Sequence, residues 1–451
     1  MSRIDGWWMG GAAIVVVALG LGGCAEDDPL DFGGPRDCSI PEQNAFMYML
    51  MQEAYLWNEH VPGDLDPAAF ESPSALVTEV RYAELDRWSR VSDLETSDAL
   101  FEEGMVIGAG FRTRRLSDGR VVLGFVDPLS PAGQAGLERG DELVGAGGFT
   151  VPELDERDGW DDALGPNEPG VAVTLQLASG TDDATRTVEL TKDWYPLVTV
   201  PIAEVIEHDA EPVAYLFFTT FVEPSIDELT DAFVRFSDAG VRNVVVDMRY
   251  NGGGRISAAR HLVDMLVGGQ AAGEVSYRTD HTPSLSEANS TRHIERHTGS
   301  LERLDHVVFI TSGSTASASE LVINAVRPFA TVSVVGSPTA GKPVGSAQFT
   351  FCDKAAYPIT FRLLNARGEG DYFDGFIPDC ESADDLARPL GDSREASLAA
   401  ALAQLDQAAC PAPSSSDDEE TEAHVGERPL RLDAPALPGA YPGIDALRGV
   451  Y

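Results

Sequence analysis

Apolar residues change their spacing along this chain, and each change marks a different kind of element. Between residues 39 and 100 the spacing is helical. Phe46, Met47, Leu50, Met51, Ala54, Tyr55 and Trp57 recur at intervals that place them on one helix face. Pro62-Gly63-Asp64 breaks the pattern and residues 74–85 repeat it, so 39–100 is expected to be an N-terminal helical region with packing aromatics. Between 101 and 193 strict alternation takes over, and residues 121–126 and 171–177 read as short strands. From 194 to 410 the apolar runs become continuous. Residues 244–248, 307–310 and 332–335 have the pattern of strands buried on both faces, with helical stretches near 226–239, 256–267 and 317–327 between them. That alternation predicts parallel strands joined by crossover helices, an α/β core inside a multidomain α+β chain.

At 451 residues the chain is long enough for two to four domains at about 150 residues each. The 43% hydrophobic content supports a sizeable core. A net charge of −41 argues against nucleic-acid binding, which needs a basic face. Residues 411–451, rich in Pro, Ser, Asp and Glu, read as a disordered tail.

The amino terminus reads as an export signal. The apolar run 7–21 is short for a membrane span, which takes about 20 apolar residues. It ends in Leu21-Gly22-Gly23-Cys24, which resembles the bacterial lipobox, although Arg3 and Asp5 leave the leading segment barely basic. The resemblance implies a lipoprotein signal peptide over 1–23, lipidation of Cys24, and a Gly/Asp/Pro tether over 24–38. Ala25 after the cysteine resembles Gram-negative sorting to the outer membrane, so an exported, envelope-anchored protein is expected. The other four cysteines suggest two disulfides in an exported protein, with three possible connectivities. Cys352–Cys380 and Cys38–Cys410 are the pairs expected here, the second tying the start of the folded region to its end. No Cys-x-x-Cys occurs, and no phosphate-loop or dinucleotide fingerprint. Neither a metal nor a cofactor is expected.

The chain holds only three lysines, Lys192, Lys342 and Lys354, against 29 arginines. A lysine beside two glycines can do what arginine cannot: once desolvated, it can lose its proton and act as a base. Lys342 lies 25 residues after Ser317, which sits at a predicted helix start within Thr315-Ala316-Ser317-Ala318-Ser319-Glu320. Serine with a neutral lysine is a nucleophile–base pair. Taken singly, Ser317-x-x-Glu320 is also a capping box, and Asp247-Met248-Arg249 a buried ion pair closing a strand. The motifs Asn251-Gly252-Gly253-Gly254, Ser317 and Lys342 follow the carboxyl ends of successive predicted strands, the edge where open α/β sheets place their sites.

Upstream, Ser130-Pro131-Ala132-Gly133-Gln134-Ala135-Gly136-Leu137 through Leu143 resembles the PDZ signature, and Gly108-Ala109-Gly110-Phe111 resembles the PDZ loop that holds a chain-terminal carboxylate on backbone amides. Taken together, Asp247–Gly254, Thr315–Glu320 and Gly336-Ser337-Pro338-Thr339-Ala340-Gly341-Lys342 resemble the C-terminal processing (tail-specific) peptidases over roughly residues 45–405. The resemblance implies a ClpP/crotonase-like core over 194–410, a PDZ-like domain over 101–193, Ser317 as nucleophile and Lys342 as general base. It implies a polypeptide substrate, unfolded or with a free C-terminus. The backbone amides of Ala318 and of Gly252 or Gly253 are the expected oxyanion donors. The family often has a glutamine four residues after the lysine; Ser346 stands there, and Gln348 two residues on, so either is a possible orienter of the amine. The alternative is a catalytically inactive peptide- or ligand-binding lipoprotein on the same fold.

Overall fold

The computed structural model describes residues 28–178 and 185–410. The expected signal peptide, Cys24, the first part of the tether and the tail lie outside the described residues. Among the described residues no helix is long and apolar enough to cross a membrane.

The continuous apolar runs become the centre of a six-stranded sheet. Its order is Ile202–His208, Glu211–Phe217, Asn243–Asp247, His306–Thr311, Thr331–Gly336 and Cys380–Glu381. The first two strands form an antiparallel hairpin; every later pairing is parallel. Helices Ser225–Asp238, Ile256–Ala271 and Ala318–Val326 pack one face through Phe233, Phe236, Leu262 and Val322. Helix Ala396–Leu405 covers the other through Leu398 and Ala401. Both faces are buried, which is why Val244, Val245 and Val246 show no polar alternation. The α/β multidomain reading therefore holds.

The N-terminal region is helical over Ile40–Glu53, Pro73–Val80 and Leu94–Phe101, but it is not helical throughout. Arg90–Asp93 is a strand that pairs antiparallel with Lys354–Tyr357, which pairs in turn with Phe349–Phe351. Its four residues gain hydrogen bonds only from a partner more than 260 positions away, so no local pattern announces it. Through this small sheet the N-terminal aromatics pack on the core: Phe46 lies edge-on to Phe351 at 5.2 Å, and Phe32 to Phe349 at 5.8 Å. The alternating segment forms a separate β-domain, with strands Phe111–Arg115, Val121–Val126, Glu142–Ala146, Ala172–Ala178 and Thr185–Thr191 in sequential antiparallel order.

The disulfides are Cys38–Cys352 and Cys380–Cys410, with Cα separations of 5.8 and 5.6 Å. Neither expected pair forms. Cys352 sits in the turn between Phe349–Phe351 and Lys354–Tyr357, where the packing of Phe32 and Phe46 delivers Cys38. Cys380 begins the edge strand, and the helix lying across that sheet leads the chain back to it at Cys410. Spatial neighbours chose the pairs, which sequence spacing does not encode.

Replacing Cys38 and Cys352 together by serine is expected to lower stability by about 2–4 kcal/mol, read by equilibrium urea unfolding, because the link closes a very long loop. Non-reducing peptide mapping should recover Cys38 joined to Cys352.

Candidate active site

Three loops leave the carboxyl ends of adjacent parallel strands, and hydrogen bonds to backbone carbonyls knit them together. The first, 248–254, follows Asp247; the second, 312–317, follows Thr311; the third, 337–343, follows Gly336. The Thr315 hydroxyl donates to Met248 O at 2.8 Å, and the Ser319 hydroxyl to Asn251 O at 3.0 Å. The Ala340 amide donates to Thr315 O at 2.9 Å. Below them the predicted ion pair is present and larger than a pair. Arg249, 2% exposed, bonds Asp247 at 2.7 Å and both Asp384 and Glu395 at 2.8 Å. It anchors the start of the first loop.

Glu320 joins the second loop to the third. One carboxylate oxygen accepts from the Ser317 amide and from the Lys342 amide, both at 2.8 Å. The other accepts from the Gly341 amide at 2.7 Å and the Thr339 hydroxyl at 2.5 Å. The amide nitrogens of Ser317 and Lys342 therefore lie within twice 2.8 Å of each other. The capping box read from the sequence is present, but its glutamate serves two elements rather than one helix end. Burial pushes the Glu320 carboxyl up, and its donors pull it the other way.

Ser317 is fully buried, with φ 57° and ψ −113°. A non-glycine residue there costs on the order of 1–3 kcal/mol and persists only where its surroundings overdetermine it. Here the helix Ala318–Val326 and the Glu320 carboxylate hold both sides of the residue. Gly253, at φ +105°, abuts the same turn: a Cβ there would lie 2.8 Å from Ala316 O and 2.9 Å from Ser317 Cβ. Only glycine fits that approach.

Lys342 is also fully buried. Burial pushes its amine well below the ordinary lysine range and the charge of Arg90 pushes it further, while Asp86 and Glu320 act in the opposite direction. Its Nζ makes no hydrogen bond among the described residues and lies 5.8 Å from the centre of the Trp88 ring. Such surroundings favour the uncharged form of the amine.

Neither expected orienter of the lysine is in place. The Ser346 hydroxyl donates to Tyr357 O at 3.3 Å, and Gln348 is exposed. Neither side chain hydrogen-bonds the Lys342 amine, and the strand register is irregular between Gly345 and Ser346. Of the expected oxyanion donors, Ala318 opens the serine helix, but the Gly253 amide already donates to the Asn251 side chain at 2.9 Å. Of the two glycine amides expected there, Gly253 is thus the one already engaged. The loop 108–111 lies in the β-domain. Gly108 ends a strand paired with Asp193–Pro196, and Gly110 packs so tightly on Ser130 that a Cβ would lie 1.9 Å from the serine Cβ. Ala109 O accepts from the Ala132 amide, and Phe111 starts the next strand. The structure does not draw these four residues into the three-loop cluster.

Sequence reading missed Asp86, Trp88 and Arg90, which reach Lys342 from the N-terminal region. It assigned Glu320 only a capping role. The pull toward the second role was visible only as Glu320 being the one acid in an otherwise small, apolar helix start.

Glu320→Ala should destabilise the fold by at least about 3 kcal/mol in urea unfolding, since it strands three buried amides and a hydroxyl.

The model of peptidase family S41 matches residues 212–382, and that of the peptidase S41 N-terminal domain matches residues 42–90. Carboxyl-terminal-processing peptidase 3, chloroplastic, of Arabidopsis thaliana is 28% identical over 249 residues, covering 53% of this chain and 45% of that protein. Carboxy-terminal processing protease CtpA of Bacillus subtilis is 26% identical over 289 residues, covering 63% and 56%. The chain thus spans about half the length of these curated relatives. A crystal structure described as an S41 protease from Bacteroides fragilis superposes with a TM-score of 0.65 at 24% identity, covering 80% of this chain and 97% of that one, a likeness of fold. The two peptidase S41 domain matches thus fall on the N-terminal helices and on the sheet that carries Ser317 and Lys342, and in these regions the chain is similar to peptidase family S41.

Proposed function

We propose that the chain is an exported, membrane-anchored serine endopeptidase that cleaves polypeptides with Ser317 as nucleophile and Lys342 as general base. One observation carries this reading: a single buried carboxylate holds the backbones of a strained serine and of a desolvated lysine side by side. The anchor rests on the Cys24 lipobox, which lies outside the described residues.

In this mechanism the neutral Lys342 amine takes the Ser317 hydroxyl proton as Oγ attacks the substrate carbonyl carbon. The carbonyl π pair moves onto oxygen, where the Ala318 and Gly252 amides are the proposed donors. Collapse of the tetrahedral species expels the amine half of the peptide, protonated by Lys342. Water, deprotonated by the same amine, then releases the acyl group and restores the serine. An oxyanion donor of this kind contributes on the order of 10²–10³ in turnover.

Both reacting groups are fully buried, so substrate entry requires covering segments to move. We assign the β-domain a PDZ-like role in recognising a substrate C-terminus or gating the site, a reading supported by its contacts with the first loop. Its Arg112 donates to Tyr250 O, Arg114 to Arg249 O at 3.3 Å, and Arg139 to the Tyr250 hydroxyl at 2.8 Å, all in the loop that carries Gly252. A cavity of about 130 Å³ opens between this domain and the N-terminal region, lined by Leu100, Phe101, Met105, Ile107, Asn167 and Arg90. Its mostly apolar wall suits a side chain of a bound polypeptide.

Ser317→Ala and Lys342→Ala are each expected to lower cleavage of an unfolded protein by on the order of 10³ or more, with circular dichroism unchanged. Full activity in either folded variant would remove the dyad. The pH profile has a fixed sign. Only the unprotonated amine is a base, so kcat/KM should fall as pH drops through the Lys342 pKa. Because that pKa is lowered, the fall should lie well below the range of an ordinary lysine.

A further inference from the structure

Lys342 lacks the hydrogen-bonding side chain that would aim its amine, yet the amine is not loosely housed. The segment 86–90 of the N-terminal region closes over it. Trp88, 4% exposed, faces Nζ at 5.8 Å. Arg87 donates to Ala340 O, two residues before the lysine, and stacks on Trp88 at 4.8 Å. Arg90 pairs in register with Tyr357, lays its guanidinium over that ring at 4.4 Å, and donates to the Ser92 hydroxyl at 3.2 Å. Asp86, 1% exposed, fixes the turn: it accepts from the Tyr55 hydroxyl at 2.7 Å and from the Trp88 and Ser89 amides at 2.8 and 2.9 Å. The segment is thus bonded to the lysine loop through Arg87, and Ser89 accepts from the Ile359 amide at 3.0 Å, in the strand that pairs with Ser346.

We propose that Trp88 and Arg90 are positioning residues of the active site, supplied by the N-terminal region, which hold the Lys342 amine in place and uncharged by an aromatic wall and a neighbouring cation instead of by a hydrogen bond. This rests on the reading of Lys342 as the base. A guanidinium stays protonated at any working pH, so it repels a proton on the amine without competing for the serine proton. The tryptophan excludes the water that would solvate an ammonium ion. The charged groups facing the amine are Arg90 and Asp86 from the N-terminal segment and Glu320 from the serine helix, and the last two favour the protonated form. Arg90 and burial are therefore what keep the balance on the neutral side. The N-terminal domain becomes part of the catalytic unit rather than an appendage to it.

The test is the pH dependence of kcat/KM in the full chain, for wild type, Arg90→Gln, Arg90→Lys and Trp88→Ala, on an unfolded protein substrate. Loss of the cation or of the aromatic wall should move the acidic limb to higher pH, with activity recovering in alkaline buffer. Arg90→Lys should return the limb toward the wild-type position. A merely structural role would scale activity equally at every pH and leave the limb in place. As a direct readout, the lysines are reductively methylated with a carbon-13 label and titrated by NMR; with three lysines in the chain the Lys342 signal is separable. Its midpoint should rise in Arg90→Gln. If Trp88→Ala fails to fold, Arg90→Gln with its lysine rescue still decides the matter. An unmoved limb and midpoint in folded Arg90→Gln, with Lys342→Ala inactive, overturn the proposal and leave the dyad standing. Activity in Lys342→Ala overturns the dyad and the proposal with it.

Discussion

A fully buried carboxylate with four donors on its two oxygens is the constraint on which this site depends. Glu320 cannot move without stranding the amides of Ser317, Gly341 and Lys342 and the Thr339 hydroxyl. Burying a charge is costly unless it is hydrogen-bonded on every side, and here it is. The same bonds fix the distance between the strand-end loop that carries the serine and the one that carries the lysine. They also pin Ser317 in a backbone conformation that it would leave if released. The Glu320 charge has an electrostatic side effect, since it favours a proton on Lys342. The arrangement therefore needs an opposing influence nearby, which burial and Arg90 supply.

A second polar cluster does for the domains what Glu320 does for the loops. Burial alone would push the Asp384 carboxyl up, but Arg249, Arg139 and Arg114 overrule it and hold it well below the usual range. Arg249 belongs to the core, whereas Arg114 and Arg139 come from the β-domain. Asp384 thus lies at the junction, 2.8 Å from Arg249 and 2.5 Å from Arg139. Isolated buried ion pairs add little stability over an apolar replacement, but removing one partner is costly. Such a cluster therefore fixes which orientation of the domains is compatible with paired charges. The loop between Arg249 and Gly253 runs through it, so the glycine turn beside Ser317 is attached to the domain interface by arginine side chains that donate to its main-chain carbonyls.

Much of this was legible in the sequence because it is local. A strand buried on both faces must be apolar throughout, so Val244–Val246 declared the sheet. Helices that cover it carry the 3.6-residue period. The serine helix began where the capping box placed it, and Lys342 stood out as a rare lysine among arginines. Those signals come from the chain's own spacing and from side-chain chemistry, which no distant contact can alter. Strand Arg90–Asp93 was not legible, since its hydrogen-bonding edge exists only once Lys354–Tyr357 is beside it.

The sequence by itself determined the α/β core, the order of the loops on one sheet edge, and the serine and lysine proposed as nucleophile and base. The tertiary structure alone decided which cysteines pair, that neither Ser346 nor Gln348 hydrogen-bonds the amine, and that Trp88 lies against it with the charges of Asp86 and Arg90 acting on it. The reason is physical. Periodicity and residue chemistry are properties of neighbours along the chain. Proximity between residues 88 and 342, or 38 and 352, arises from packing aromatic faces across separate elements, where many spacings would serve equally well.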